Sequence, residues 1–221
     1  MMPDFNRPVL AIDTGSSQMS LTLRAHGRDW VYAQSTGPQQ SEHLLPALQR
    51  LLSDAQVNIA DLSAIVYNQG PGMFTGLRIG IGVAQGLSAP WDIPLIGIPS
   101  LDAVAYQIAD YPCVLAAIDA RMNEVFYAWF DTQNHRRLSE YQVGKAEKIR
   151  QPENMNNITA KGIGNGFVEP INNISGNLKM PTASDFLQLA STGRYPVSNA
   201  EQATLIYVRD KVALTIHEQK K

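Results

Sequence analysis

Asp13 and Asp119 are the two residues whose type and setting best suit chemistry. Each ends an apolar run, Val9-Leu10-Ala11-Ile12-Asp13 and Val114-Leu115-Ala116-Ala117-Ile118-Asp119, and a short polar turn follows each. A carboxylate at the C-terminal end of a buried strand can hold a Mg²⁺-bound water beside a phosphate. It can equally do no more than cap its own turn, and the sequence leaves both readings open. The turn after Asp13, Thr14-Gly15-Ser16-Ser17, makes Asp13, Thr14 and Gly15 candidates for a vestigial phosphate loop. After Asp119 the chain reads Ala120-Arg121-Met122-Asn123-Glu124, bulky and free of glycine, so the second phosphate-gripping loop of a phosphotransferase is missing.

A third candidate is the stretch Asn68-Gln69-Gly70-Pro71-Gly72-Met73-Phe74-Thr75-Gly76-Leu77-Arg78. A strand, a glycine turn and a helix start can together offer backbone N–H groups to an anion. Most such turns are only tight connections, and this one lacks the Gly-Lys-Ser/Thr ending of a P-loop. Gly162-Ile163-Gly164-Asn165-Gly166 likewise fails the dinucleotide fingerprint. His26, His43, His135 and His217 form no HExxH or other metal-ligand pair. Ser16 and Ser17 lack a nucleophile-elbow context, and Cys113 reads as a buried thiol at a strand edge.

Placing these residues requires an α/β framework. Val9–Asp13 reads as a buried strand, with Met19–Arg24 and Trp30–Ala33 completing a β-meander. Ser41 is expected to cap a helix carrying Leu44, Leu45, Leu48, Leu51 and Leu52, in which Pro46 is tolerable only near the first turn. Ala64–Tyr67 and Leu95–Ile98 read as strands, and Thr75–Ala89 as a helix capped by Thr75. Val114–Asp119 and Val125–Phe130 repeat the opening order. The identical triplets Ala11-Ile12-Asp13 and Ala117-Ile118-Asp119 mark two related lobes. Lys145–Pro181 is rich in Asn, Gly and Pro, and no elements are assigned there. Ser184–Ala190 reads as a short amphipathic helix, and Ile206–Lys221 as amphipathic, then basic. The expected division is 1–104, completed by 204–221, and 105–203.

The glycine-rich helix carries a further signal. Gly80, Gly82 and Gly86 each weaken it by roughly 0.8–1 kcal/mol relative to Ala. Gly76 and Gly80 are four apart, as are Gly82 and Gly86, so two narrow faces run along it. One is expected to cover the lobe's own sheet, leaving the other to pack against the leucine-rich helix or a second chain.

With 221 residues, 44% of them hydrophobic, and a net charge of −2, the chain is expected to fold without staples and to lack the basic field of an autonomous nucleic-acid binder. A lone cysteine and the lack of a signal-like start point to a cytoplasmic, non-membrane protein.

Leu10-Ala11-Ile12-Asp13-Thr14, the Gly70–Gly86 block around Phe74-Thr75-Gly76-Leu77-Arg78, Gly97-Ile98-Pro99-Ser100-Leu101 and Leu115–Met122 together resemble the TsaB (YeaZ) family. That resemblance implies an actin-like fold of the sugar-kinase and Hsp70 type. It also implies a non-catalytic subunit that pairs with the catalytic paralogue TsaD and the ATPase TsaE, TsaC supplying threonylcarbamoyl-adenylate. The product is threonylcarbamoyladenosine beside the anticodon of tRNAs reading codons that begin with A. Where TsaD has metal-binding histidines, this chain has Ser100 and Val104, so the old glycoprotease label has no chemistry behind it here.

The resemblance further implies a homodimer in isolation, tRNA contact only through the complex, no cofactor of its own, and ATP or ADP only within the complex. Its pairing surface is the two-helix flank, here Leu44, Leu45, Leu48, Leu52, Phe74, Leu77, Arg78, Ile81 and Gln85. A charge at Leu77 or Ile81 is accordingly expected to abolish pairing and spare the fold. Pro38-Gln39-Gln40-Ser41-Glu42-His43 departs from the Arg-Glu-His-Ser usual before the first helix. The alternatives are an ATP-dependent kinase using Asp13, Thr14, Gly15 and Asp119, and a metallopeptidase.

Overall fold

Alternation along one strand sets the layers of the first lobe. In β1 (Val9–Asp13), Leu10 and Ile12 face one side of the sheet, and Val9 and Ala11 face the other. The computed structural model describes residues 3–209. Strand β1 pairs antiparallel with β2 (Gln18–Ala25), which pairs with β3 (Arg28–Ser35) as the expected meander. Helix α1 (Gln40–Ala55), β4 (Ala64–Gly70), α2 (Phe74–Ser88), β5 (Leu95–Pro99) and α3 (Ser100–Ala105) follow, with β4 parallel to β1 and β5 parallel to β4. Leu44, Leu48, Leu52 and Ile81 from α1 and α2 close over Leu10, Ile12, Leu21 and Ile65.

The second sheet repeats the plan. Strand β6 (Val114–Arg121) pairs antiparallel with β7 (Glu124–Asp131), whose far edge carries β8 (Arg136–Arg137) and β9 (Gln142–Gly144). On its other side β6 pairs parallel with β10 (Lys161–Ile163), and β10 with β11 (Gly176–Asn177). In both sheets a central strand has a hairpin partner on one side and parallel strands on the other. This is the actin-like α/β fold of two related lobes. Leu101 and Val104 of α3 pack on one face of the second sheet, while the segment carrying Ile149, Met155, Phe167 and Ile171 covers the other.

Three expectations need correction. Ser41 does not cap α1; a 3₁₀ turn over Gly37–Gln39 leads into it, Gln39 stands at the N-cap without a side-chain bond, and the Gln40 side chain is tied to the Ser16 carbonyl. Pro46 lies beyond the first turn on the exposed face, where water can serve the carbonyl it leaves unpaired. Thr75 is inside α2, because the Met73 N–H is held by the Gly15 carbonyl at 2.8 Å and the helix starts there.

The chain also rejoins the first sheet earlier than Thr204. Helix α4 (Ala183–Ser191) buries Phe186 and Leu187 against Val9, Ala11, Val66 and Ile98, and β12 (Val197–Ser198) pairs with β5. The second lobe's sheet ends at Asn177, because the apolar face of α4 matches the open side of the first sheet. Of the expected tail Ile206–Lys221, residues 210–221 lie outside the described residues.

Candidate functional site: the interlobe cleft and the glycine helix

Asp13 is 4% exposed, and its neighbours occupy it. The Gly15 N–H and the Asn68 side-chain amide donate to its Oδ1 at 3.0 and 2.8 Å. Asn68 Oδ1 in turn accepts from the Gly70 N–H at 2.8 Å and from the Ser100 hydroxyl. Burial pushes the Asp13 carboxyl up to about 6, against the opposing hydrogen bonds from Asn68 and Gly15.

Thr14 donates its hydroxyl to the Gly76 carbonyl at 2.8 Å. The close approach of α2 explains the glycines there: a Cβ on Gly76 would lie 2.0 Å from the Thr14 carbonyl oxygen, and one on Gly80 2.3 Å from Thr14 Oγ1. These bonds engage the Asp13 carboxylate, the Gly15 N–H and the Thr14 hydroxyl within the chain.

Asp119 is exposed. It accepts the Arg121 N–H at 2.8 Å and pairs with the Arg121 guanidinium at 3.2 Å. Arg121, Met122 and Asn123 all have left-handed φ, the geometry that turns β6 into β7. Gly164 and Asn165 close the other side. At φ +113°, a Cβ on Gly164 would lie 2.1 Å from the Ala117 carbonyl oxygen, and the Asn165 side chain accepts the Asp119 N–H at 2.9 Å. The glycine run that fails as a dinucleotide motif serves this close approach.

The C-terminal part of the described chain bridges the lobes. Thr204 O accepts from Tyr67 and Gln69 at 3.0 and 3.2 Å, and the Ile206 N–H donates to Gln69 O at 2.8 Å. The Arg209 guanidinium crosses to Glu124 and the Ala120 carbonyl. Together with Met73, Phe74, Leu77, Arg121 and Phe126, this segment lines a cavity of about 240 Å³. Asp102 of α3 adds a second interlobe tie, accepting hydroxyls of Tyr141 and Tyr195; burial raises its pKa. Asp102, the role of Asn68 as the partner of Asp13, and that of 204–209 as a strap across the lobes escaped the sequence reading; a polar residue ending the apolar run Ala64–Tyr67 was the available signal for Asn68.

The helical flank divides the expected interface residues. Leu44, Leu48, Leu52 and Ile81 are buried in the lobe's own core, Leu77 is buried beside Gly15 and Gly70 at the interlobe cavity, and Gln85 holds the Ala200 and Ala203 carbonyls at 2.8 and 3.3 Å. A charge at Leu77 or Ile81 would therefore disturb the fold itself. Leu45 and Phe74 are exposed, at 55% and 40%, and Arg78 lies over the Phe74 ring at 3.8 Å. Gly82 and Gly86 face open space. Ser100 bonds Asn68 and Val104 sits in the core, so neither is free to act as a ligand. Cys113 is buried, which pushes its thiol up to about 11.

The family model described as TsaD: tRNA N6-adenosine threonylcarbamoyltransferase matches residues 33–192. The YeaZ structure from Pseudomonas aeruginosa is 30% identical, with a TM-score of 0.80 over 90% of this chain and 99% of that one. The chain belongs to the TsaB/YeaZ family. A second Pseudomonas aeruginosa structure, an uncharacterized protein with similarity to peptidase YEAZ, is 31% identical with a TM-score of 0.82. It covers 91% of this chain and 99% of that chain.

Two relatives are named tRNA threonylcarbamoyladenosine biosynthesis protein TsaB. The one from Haemophilus influenzae is 29% identical over 94% of this chain and 95% of its own length. The one from Escherichia coli is 38% identical over 54% of this chain; that match spans about half, 53%, of the relative's length. No helix among the described residues is long and apolar enough to cross a membrane.

Proposed function

We propose that this chain serves threonylcarbamoyladenosine formation in tRNA as a non-catalytic scaffold and activator that pairs with TsaD and works with TsaE. The observation that carries the reading is the division of α2. Gly76 and Gly80 are spent on Thr14, while Gly82 and Gly86 leave a side-chain-free groove open beside Phe74 and Arg78. A helix that gives up about 2 kcal/mol at two exposed glycines keeps them where another backbone is to approach closely. The engagement of residues 13–15 within the chain, and the strap across the cleft, support a subunit without its own phosphate chemistry. On this reading ATP or ADP enters only through the complex, and tRNA is held jointly.

The test is reconstituted threonylcarbamoyl transfer to tRNA with TsaD, TsaE and the TsaC product. Transfer is expected to depend on this chain, the chain alone is expected to be inert, and Gly86→Leu is expected to lose co-elution with TsaD with no fall in its melting temperature. Turnover of Mg·ATP by the isolated chain, or undiminished transfer without it, overturns the reading.

A further inference from the structure

Trp129, at the centre of β7, is 2% exposed, and its indole N–H has no acceptor. A buried donor left unpaired costs about 1–3 kcal/mol, so an indole in this position calls for a partner. Trp129 forms part of the wall of two adjoining concavities that also share Arg150. The larger, about 370 Å³, is completed by Tyr127, Ser139, Gln142 and Lys148. The smaller, about 210 Å³, is completed by Ile149, Ile171 and Ile174 together with Gln151 and Asn172.

Donors and positive charge dominate the larger concavity, while the smaller also carries Gln151 and Asn172, whose NH₂ groups bond the Met155, Ile158 and Ile149 carbonyls. Gln142 takes the Tyr127 hydroxyl on its Oε1 at 2.7 Å, which leaves its NH₂ as a donor. Arg150 spends Nη1 on the Glu147 and Ile149 carbonyls, at 2.6 and 3.0 Å, which holds the guanidinium in place beside the niche. Lys148 adds a second positive charge, and no carboxylate lines either concavity. The neighbouring hollow around Asn165–Asn172 is opposite in character, with Asp119, Glu124, Glu147 and Glu169 in its wall.

We propose that the Trp129 niche is a binding site for a small organic anion, its carboxylate or phosphate head held by Arg150, Lys148 and Gln142 and its short apolar body resting among the isoleucines. The head supplies the acceptor that the indole lacks. A planar guanidinium and an amide donor suit two oxygens of one head group better than they suit a halide. The site lies on the outer face of the second sheet, away from the glycine helix, and it does not depend on the pairing reading.

The test uses the full chain with ¹⁵N-labelled indoles, the Trp129 resonance being assigned by its loss in Trp129→Phe. Inorganic phosphate and isobutyrate are titrated separately, and their relative affinities decide which head group the site prefers. At least one is expected to shift the Trp129 N–H signal with saturation at an apparent Kd of about 1 mM or tighter. Arg150→Gln with Lys148→Gln, both exposed positions, is expected to weaken binding at least about tenfold while leaving the amide spectrum folded. A Trp129 signal that neither anion moves, as when an enclosed water serves the N–H, overturns the proposal; so does an equal shift in the double variant.

Discussion

Strands β1 and β6 carry the same Ala-Ile-Asp triplet near their C-terminal ends, and its aspartate lies in opposite environments in the two. Asp13 is buried beneath α2 and shares a network with Asn68 and Ser100, whereas Asp119 is exposed and bonds its own turn. The cause lies in what covers each strand end. In the first lobe β4 leads through a glycine turn into α2, which lies on Thr14; in the second, β10 leads into a loop that approaches β6 through Gly164–Gly166. Equivalent strand ends thus acquire different chemistry from the connection that follows the neighbouring parallel strand.

Four substitutions probe this contrast. Gly76→Ala places a Cβ against the Thr14 backbone carbonyl, which cannot yield as a side chain can, and is expected to lower stability by about 3 kcal/mol in urea unfolding. An unchanged midpoint would show that α2 does not clamp the first turn.

Asp13→Asn tests the buried carboxyl through pH. Asp13 binds its proton more tightly folded, at about 6, than at its ordinary 3.8. Its favourable contribution is complete below the ordinary value and is lost as pH rises through about 6. Between pH 4 and pH 7 the wild type is expected to lose about 2–2.5 kcal/mol relative to Asp13→Asn, read from paired denaturation curves. Parallel curves would place Asp13 in a wetter setting.

Gly82→Ala, on the open face, is expected to raise the monomer's stability by about 0.8–1 kcal/mol, opposite in sign to Gly76→Ala. Calorimetry on dilute protein measures it. Asp119→Asn keeps the acceptor for Arg121 N and removes only an exposed ion pair, so its effect is expected to stay under about 1 kcal/mol and to vanish in high salt.

Much of the framework was legible because period-two and helical patterns report burial of a face. The strands at Val9, Met19, Ala64, Leu95, Val114 and Val125 and the helices at Leu44 and Leu77 stand where those patterns place them. Helix starts were less legible, since Ser41 and Thr75 have capping chemistry but the Gln40 side chain and the Met73 N–H are held by distant carbonyls. The second lobe's outer layer had no period to read, because Lys145–Pro181 covers its sheet with irregular chain.

By itself the sequence determined the two-lobed α/β plan, the family, and that α2 must have narrow faces, because strand alternation, motif identity and glycine spacing are local properties of the chain. Only the tertiary structure decided which glycine pair is spent and which is open, that the interface leucines are largely core, and that α4 returns to the first sheet. Those outcomes depend on which distant backbone approaches which side chain, and no local pattern encodes a partner that lies scores of residues away.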